Sequence, residues 1–167
     1  MKRKANKITV GLFIVYMIIL TWIILFKFSF NFERLDHYRN INLNPFGGSM
    51  IVNDRIDITE IIYNVIVFIP MGIFTCLLKP NWSFIQKMAP AFLASLVFEA
   101  MQFILAIGAS DITDLLGNTF GGIIGIVIFF ILRKIAKDKT EKVINIVGIL
   151  LLGIFLALVI LLFINNI

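Results

Sequence analysis

Four polar side chains interrupt one of the most apolar stretches of the chain, Ser95 to Gly125, SLVFEAMQFILAIGASDITDLLGNTFGGIIG. Glu99 and Gln102 stand three residues apart and Asp114 and Asn118 four apart, so each pair shares one face of a helix. A charged side chain at membrane depth costs about 2.5–3.5 kcal/mol on insertion scales, and such groups face protein or water rather than lipid. Two carboxylates with two amides offer a definite chemistry. The carboxylates bind cationic or hydroxylated head groups, and the amides orient them. Asn64, near the start of the preceding apolar run, and Asp111, just ahead of Asp114, complete the set of pocket-lining candidates.

Each of these residues also has a plainer reading. The amides serve equally well as glue between helices, where polar contacts average about 0.6 kcal/mol. A buried carboxylate is harder to explain that way, because it must be protonated or paired. Asp111 suits the N-cap of the following helix, and for Asp114 capping and ligand binding are evenly balanced. Asn118 lies a turn deeper and is no cap. Gly117, Gly121, Gly122 and Gly125 make a small-residue face for close helix packing. A phosphate-cradling loop would need a strand ahead of it, and none is expected. The carboxylates Glu60, Glu99, Asp111 and Asp114 are of the type that holds Mg²⁺ or Ca²⁺. Even so, no metal and no cofactor is assigned. His37 is a lone loop histidine, which leaves neither a zinc cluster nor a Ser–His–Asp set.

The elements that must position these groups are apolar helices. The chain of 167 residues is 60% hydrophobic and 15% charged, more apolar side chain than a soluble domain of this size can bury. An all-α integral membrane bundle is expected, in one domain, with five transmembrane helices: Ile8–Phe26, Ile61–Leu78, Met88–Ile107, Leu115–Leu132 and Val143–Ile164. Runs of this length cross ~30 Å of hydrocarbon at 1.5 Å per residue. The first four form the core and the fifth is an appendage. The first is read as uncleaved, since KFSFNFERL follows it without a small-residue cleavage site. Pro70 is expected to kink the second helix. The two polar helices are expected to meet in a tight turn at Gly108–Ser110. Phe28, Phe30, Phe32 and Tyr38 suggest a connecting segment that hugs the membrane interface. The single cysteine, Cys76, excludes an internal disulfide.

The net charge of +5 is distributed as a topology signal and not as a nucleic-acid footprint. Eleven of the fifteen basic residues fall in segments 1–7, 79–87 and 133–142, and the other four in 27–57. With the N-terminus cytoplasmic this is a positive-inside pattern, and the C-terminus is then extracytoplasmic. All six pocket candidates come to lie in the outer half of the bilayer, on three helices.

The same residues carry a resemblance to the VanZ-like family of bacterial membrane proteins. The matching pieces are Asn42-Leu43-x-Pro45-Phe46, then Asn64-x-x-x-Phe68-x-Pro70-x-Gly72, then Glu99-x-x-Gln102. The last is Asp111-Ile-x-Asp114-x-x-x-Asn118-Thr-x-Gly121-x-x-x-Gly125. They run in order through about residues 8–135, leaving the helix at 143–164 as an addition. One departure is Gly108-Ala109-Ser110, where the family has a basic residue; Arg39 or Arg55 could replace it. The resemblance implies a multi-pass protein of the bacterial cytoplasmic membrane acting at the cell envelope. Its namesake is linked to resistance to the glycopeptide teicoplanin.

The favoured expectation is therefore an outward-facing polar pocket that binds an envelope lipid, a cell-wall precursor or a glycopeptide. Membrane lipids are the other partners expected, and nucleic acid is not. The rival is an enzyme on a lipid-linked substrate at the outer leaflet, with Glu99 as general acid or base and Asp114 as its partner. A transporter would need a continuous polar path, which the inner halves of the helices do not offer. The sequence names neither a reaction nor an oligomeric state.

Overall fold

The computed structural model describes residues 6–26, 38–45, 51–52, 55–56 and 58–165. The basic head at 1–5, the aromatic residues Phe28, Phe30 and Phe32, His37 and Phe46 lie outside the described residues. Five α-helices account for most of what is described: α1 (Lys7–Phe26), α2 (Thr59–Leu78), α3 (Phe84–Leu105), α4 (Ile112–Ala136) and α5 (Thr140–Asn165). Four short strands accompany them: β1 (Tyr38–Asn42), β2 (Ile51–Val52), β3 (Arg55–Ile56) and β4 (Ile107–Asp111). The all-α class holds, and the protein is a membrane protein by the length and apolarity of its helices.

The count of separate spans needs correction. Four helical segments are long and apolar enough to cross a membrane, and the last runs from Ile112 to Leu162. The expected fourth and fifth spans are joined within it, because the polar link between them is itself helical. A single 3-10 turn, Lys137–Lys139, connects α4 to α5. Lys137 reverses the chain there with φ 47° and ψ −120°.

α2 and α4 run in the same direction and form the tightest pair. The small-residue face explains how they do so. A Cβ on Gly121 would collide with the Val65 carbonyl, one on Gly125 with the Ile69 carbonyl, and one on Gly72 with the Gly122 carbonyl. Without hydrocarbon-versus-water contrast to drive association, such close backbone approach is what holds membrane helices together. α3 runs against both, and Ala91 fills the space in front of Gly122. α2 continues as a helix through Pro70. The Tyr16 hydroxyl reaches across from α1 to donate to the Val67 carbonyl at 2.9 Å, three residues before that proline.

Local chemistry sets the helix ends. Ser83 and Gln86 form a reciprocal capping box that starts α3. Lys87, buried in the first turn of α3, donates its Nζ protons to the carbonyls of Pro80 and Trp82, tying down the α2–α3 turn. Ala106 ends α3 in the left-handed conformation, with φ 54°. Leu20, Leu25, Phe68, Met71, Ala91, Phe98 and Ile107 form one core cluster; Cys76, Ile126, Phe129 and Ile144 form another. Outside these clusters the helix surfaces remain apolar, as at Ile18, Ile66 and Val97, which suits a lipid surround.

α5 runs alongside α1 in the same direction. A polar seam pins its start. The Thr9 hydroxyl contacts Glu141 Oε1 at 3.0 Å and Asn145 Oδ1 at 3.1 Å, and Asn145 Nδ2 donates back to it at 3.0 Å. Further along, Trp22 meets Phe155 edge-on at 6.4 Å.

Candidate functional site

The C-terminal ends of α1 and α3 and the N-terminal ends of α2 and α4 share one end of the bundle, where the six polar candidates gather. The link between α3 and α4 is not the tight turn expected of Gly108–Ser110. It is the extended strand β4, paired in parallel with β1. Tyr38 is in register with Ile107, Arg39 with Gly108 and Asn42 with Asp111. The physical reason is burial. Ile107, Gly108 and Asp111 are shielded from solvent, so their backbone groups need protein partners. The segment after α1 supplies them. The ladder also sets the backbone of Arg39 beside Gly108, within the Gly-Ala-Ser stretch.

Glu99 joins the two polar helices. Its carboxylate Oε2 accepts the Asp111 backbone N–H at 2.8 Å, and its own carbonyl accepts the Ser110 hydroxyl at 2.6 Å. Asp111 is the N-cap of α4: Oδ1 accepts the Thr113 N–H at 2.7 Å. Its other oxygen, Oδ2, accepts from Asn42 Nδ2 at 3.0 Å. Glu99 and Asp111 are each only 7% exposed. Asp111 caps α4 and Asp114 lies in its first turn. Acidic groups thus crowd this end of the bundle.

The other candidates take separate partners. Asn64 Nδ2 on α2 donates to Asp114 Oδ1 on α4 at 2.7 Å. Gln102 turns toward α1, where Nε2 donates to the Ile24 carbonyl at 3.2 Å. Asn118 Nδ2 donates to Ser95 Oγ on α3 at 2.9 Å. Two acceptors stay empty: the side-chain carbonyls of Gln102 and Asn118 are buried with no hydrogen-bond partner among the described residues. A buried acceptor left unmade costs about 1–3 kcal/mol. Among the described residues, no three Asp, Glu, His or Cys side chains gather in an arrangement that could hold a metal ion.

Several partners were not singled out from sequence. Ser95 and Ser110 are small polar residues whose significance is nonlocal, and Asn42, read from sequence only as part of a family motif, gains its partner from the fold. Thr9 and Asn145 form the seam at the opposite end, and Asn145 is a lone amide in an otherwise apolar run. A cavity of about 450 Å³ also opens between α1, α2, α4 and α5, with walls of Tyr16, Ile73, Phe74, Leu132, Val147 and Leu151 among others. None of the six polar candidates lines it.

Comparison with known proteins adds two findings. The VanZ/LLP1 family model matches residues 13–133. The chain is also similar to Protein VanZ of Enterococcus faecium, with 39% identity over 149 residues, covering 87% of this chain and 89% of that protein. No solved structure matches the chain.

Proposed function

The chain belongs to the VanZ/LLP1 family, and from that premise we propose that it works at the bacterial cell envelope by binding an amphiphilic envelope molecule at its polar end. The ligand is an envelope lipid, a cell-wall precursor or a glycopeptide, and binding lowers susceptibility to teicoplanin. The membrane is the cytoplasmic membrane. The N-terminus is inside, so the β1–β4 ladder and the start of α4 face outward, as the basic residues favour.

The observation that carries this reading is the pair of empty buried acceptors, Gln102 Oε1 and Asn118 Oδ1, at the same end as the carboxylates of Glu99, Asp111 and Asp114. An acceptor-rich site suits a ligand that brings donors. Sugar hydroxyls, amides and ammonium groups are the donors that cell-wall precursors and glycopeptides carry. Glu99 and Asp114 supply the charge, while Asn64, Gln102 and Asn118 orient the head group.

The test is teicoplanin susceptibility in a sensitive Gram-positive host. It compares no insert, the wild type, Glu99→Gln and Asp114→Asn at matched membrane levels. The wild type is expected to lower susceptibility, and both variants to lose most but not all of the effect. Full protection by both variants would refute a working polar cluster. No effect of the wild type would refute the link to teicoplanin. Glu99→Gln alone also separates binding from the rival enzymatic reading. An acid–base catalyst loses everything with that change, whereas a binding site keeps part of its effect.

A further inference from the structure

The apolar cavity lies at the other end of the molecule from the polar cluster. It follows α5 from Val143 to Phe155 and is walled on its far side by α1, α2 and α4. α5 is held against α1 by the Thr9–Asn145 seam at its start and by the Trp22–Phe155 contact further on. Between α5 and the face made by α1, α2 and α4 the packing leaves the void. Its rim reaches the outer surface, since Val147 and Leu151 line the cavity yet are 47% and 61% exposed. In a membrane protein such a rim meets acyl chains and not water.

The end of this groove is strongly basic. α4 leaves it through Arg133 and Lys134, directly after the lining residue Leu132. The connecting turn carries Lys137 and Lys139, and α5 resumes at Lys142, directly before the lining residue Val143. All five basic side chains are exposed. Only Asp138 and Glu141 oppose them, and Glu141 is engaged by Thr9. An apolar slot open to the bilayer and closed at one end by exposed lysines and an arginine is complementary to one kind of molecule. That molecule has an acyl chain and an anionic head group. Basic pockets between membrane helices take anionic lipid head groups for this reason.

We propose that the groove between α5 and the α1–α2–α4 face is a binding site for an anionic phospholipid. One acyl chain lies along Ile73, Phe74, Val147 and Leu151, and the phosphate rests on the basic α4–α5 turn. This site is independent of the polar end and of any glycopeptide. It gives α5 a role: the helix completes a lipid-binding wall.

The test uses the purified full-length protein in mixed micelles of phosphatidylglycerol and phosphatidylcholine, with bound lipid counted by native mass spectrometry. The wild type is expected to retain phosphatidylglycerol preferentially. Leu151→Trp, which fills the groove, should abolish that retention. Arg133→Gln with Lys139→Gln should weaken it about 30-fold, from roughly fivefold per basic side chain near an anionic surface. Leu158→Trp, exposed and about one turn of α5 beyond the last lining residue Phe155, should leave it unchanged, and circular dichroism should give the same helicity for every variant. Equal retention of both lipids by the wild type would overturn the proposal. So would preference surviving in Leu151→Trp, which would reduce the basic turn to a topology signal. Preference surviving loss of both charges, or vanishing equally in Leu158→Trp, would overturn it too.

Discussion

Asn42 Nδ2 donates to Asp111 Oδ2 at 3.0 Å across 69 residues of chain. The contact closes the last register position of the β1–β4 ladder and anchors the carboxylate that caps α4. It therefore couples the segment after α1 to the start of α4. Breaking one such bond is worth about 0.5–1.5 kcal/mol. In a double-mutant cycle of Asn42→Ala and Asp111→Ala, read by reversible unfolding in mixed detergent micelles, the coupling should be about 1 kcal/mol. Additive effects would mean that the two side chains act independently. Asp111→Asn should keep most of the cap, since asparagine caps as well as aspartate.

Glu99 holds the α3–α4 link through its Oε2 bond to the Asp111 N–H. Glutamine keeps an acceptor there and leucine does not. Glu99→Leu should strand a buried N–H and lower stability by about 1–3 kcal/mol, whereas Glu99→Gln should stay folded to near the wild-type temperature. Thermal unfolding of both variants in one detergent checks this. Equal melting temperatures would show that the carboxylate contributes nothing to the fold.

The glycines of α4 make a graded series. Gly121 and Gly125 face backbone carbonyls of α2 at distances no Cβ tolerates, while a Cβ on Gly117 would sit 3.7 Å from Ile61 Cγ2 in ordinary contact. Gly117→Ala should therefore be neutral or slightly stabilising, because alanine is the better helix former by about 1 kcal/mol. Gly121→Ala and Gly125→Ala should each force α2 and α4 apart and cost more than about 2 kcal/mol, as overpacking does. The membrane-inserted yield and unfolding midpoint of the three variants would rank them, and a uniform response would contradict the close approach.

These contrasts mark what the sequence made legible. Apolar length placed the helices within a few residues, since hydropathy over some twenty positions is a strong signal. The Asp111 cap was readable because capping is local chemistry. The β1–β4 ladder was not: Ile107-Gly108-Ala109-Ser110 has no strand alternation, and its partner lies 69 residues upstream. The same holds for Thr9 with Asn145, separated by 136 residues. One threonine and one asparagine in apolar runs acquire meaning only when α5 doubles back along α1. The helical turn at Lys137–Lys139 lies in a segment read from sequence only as a basic break between two spans, because its composition is polar and charged.

Gln102 separates a structural from a functional role most sharply. Its Nε2 holds the Ile24 carbonyl at 3.2 Å while its Oε1 stays buried without a partner. Methionine has similar length and volume and brings no hydrogen-bonding demand. Gln102→Met gives up one bond and removes one unmet acceptor, so the two effects offset and stability should change by less than about 1 kcal/mol. If the empty acceptor exists to receive a donor from an envelope ligand, the same variant should lose the susceptibility phenotype while its membrane level and melting temperature hold. Retained phenotype with unchanged stability would remove Gln102 from the binding site and leave it as a contact between α1 and α3. Lost stability would show instead that the Ile24 bond outweighs the buried orphan, and Gln102 would then be a fastening for α1.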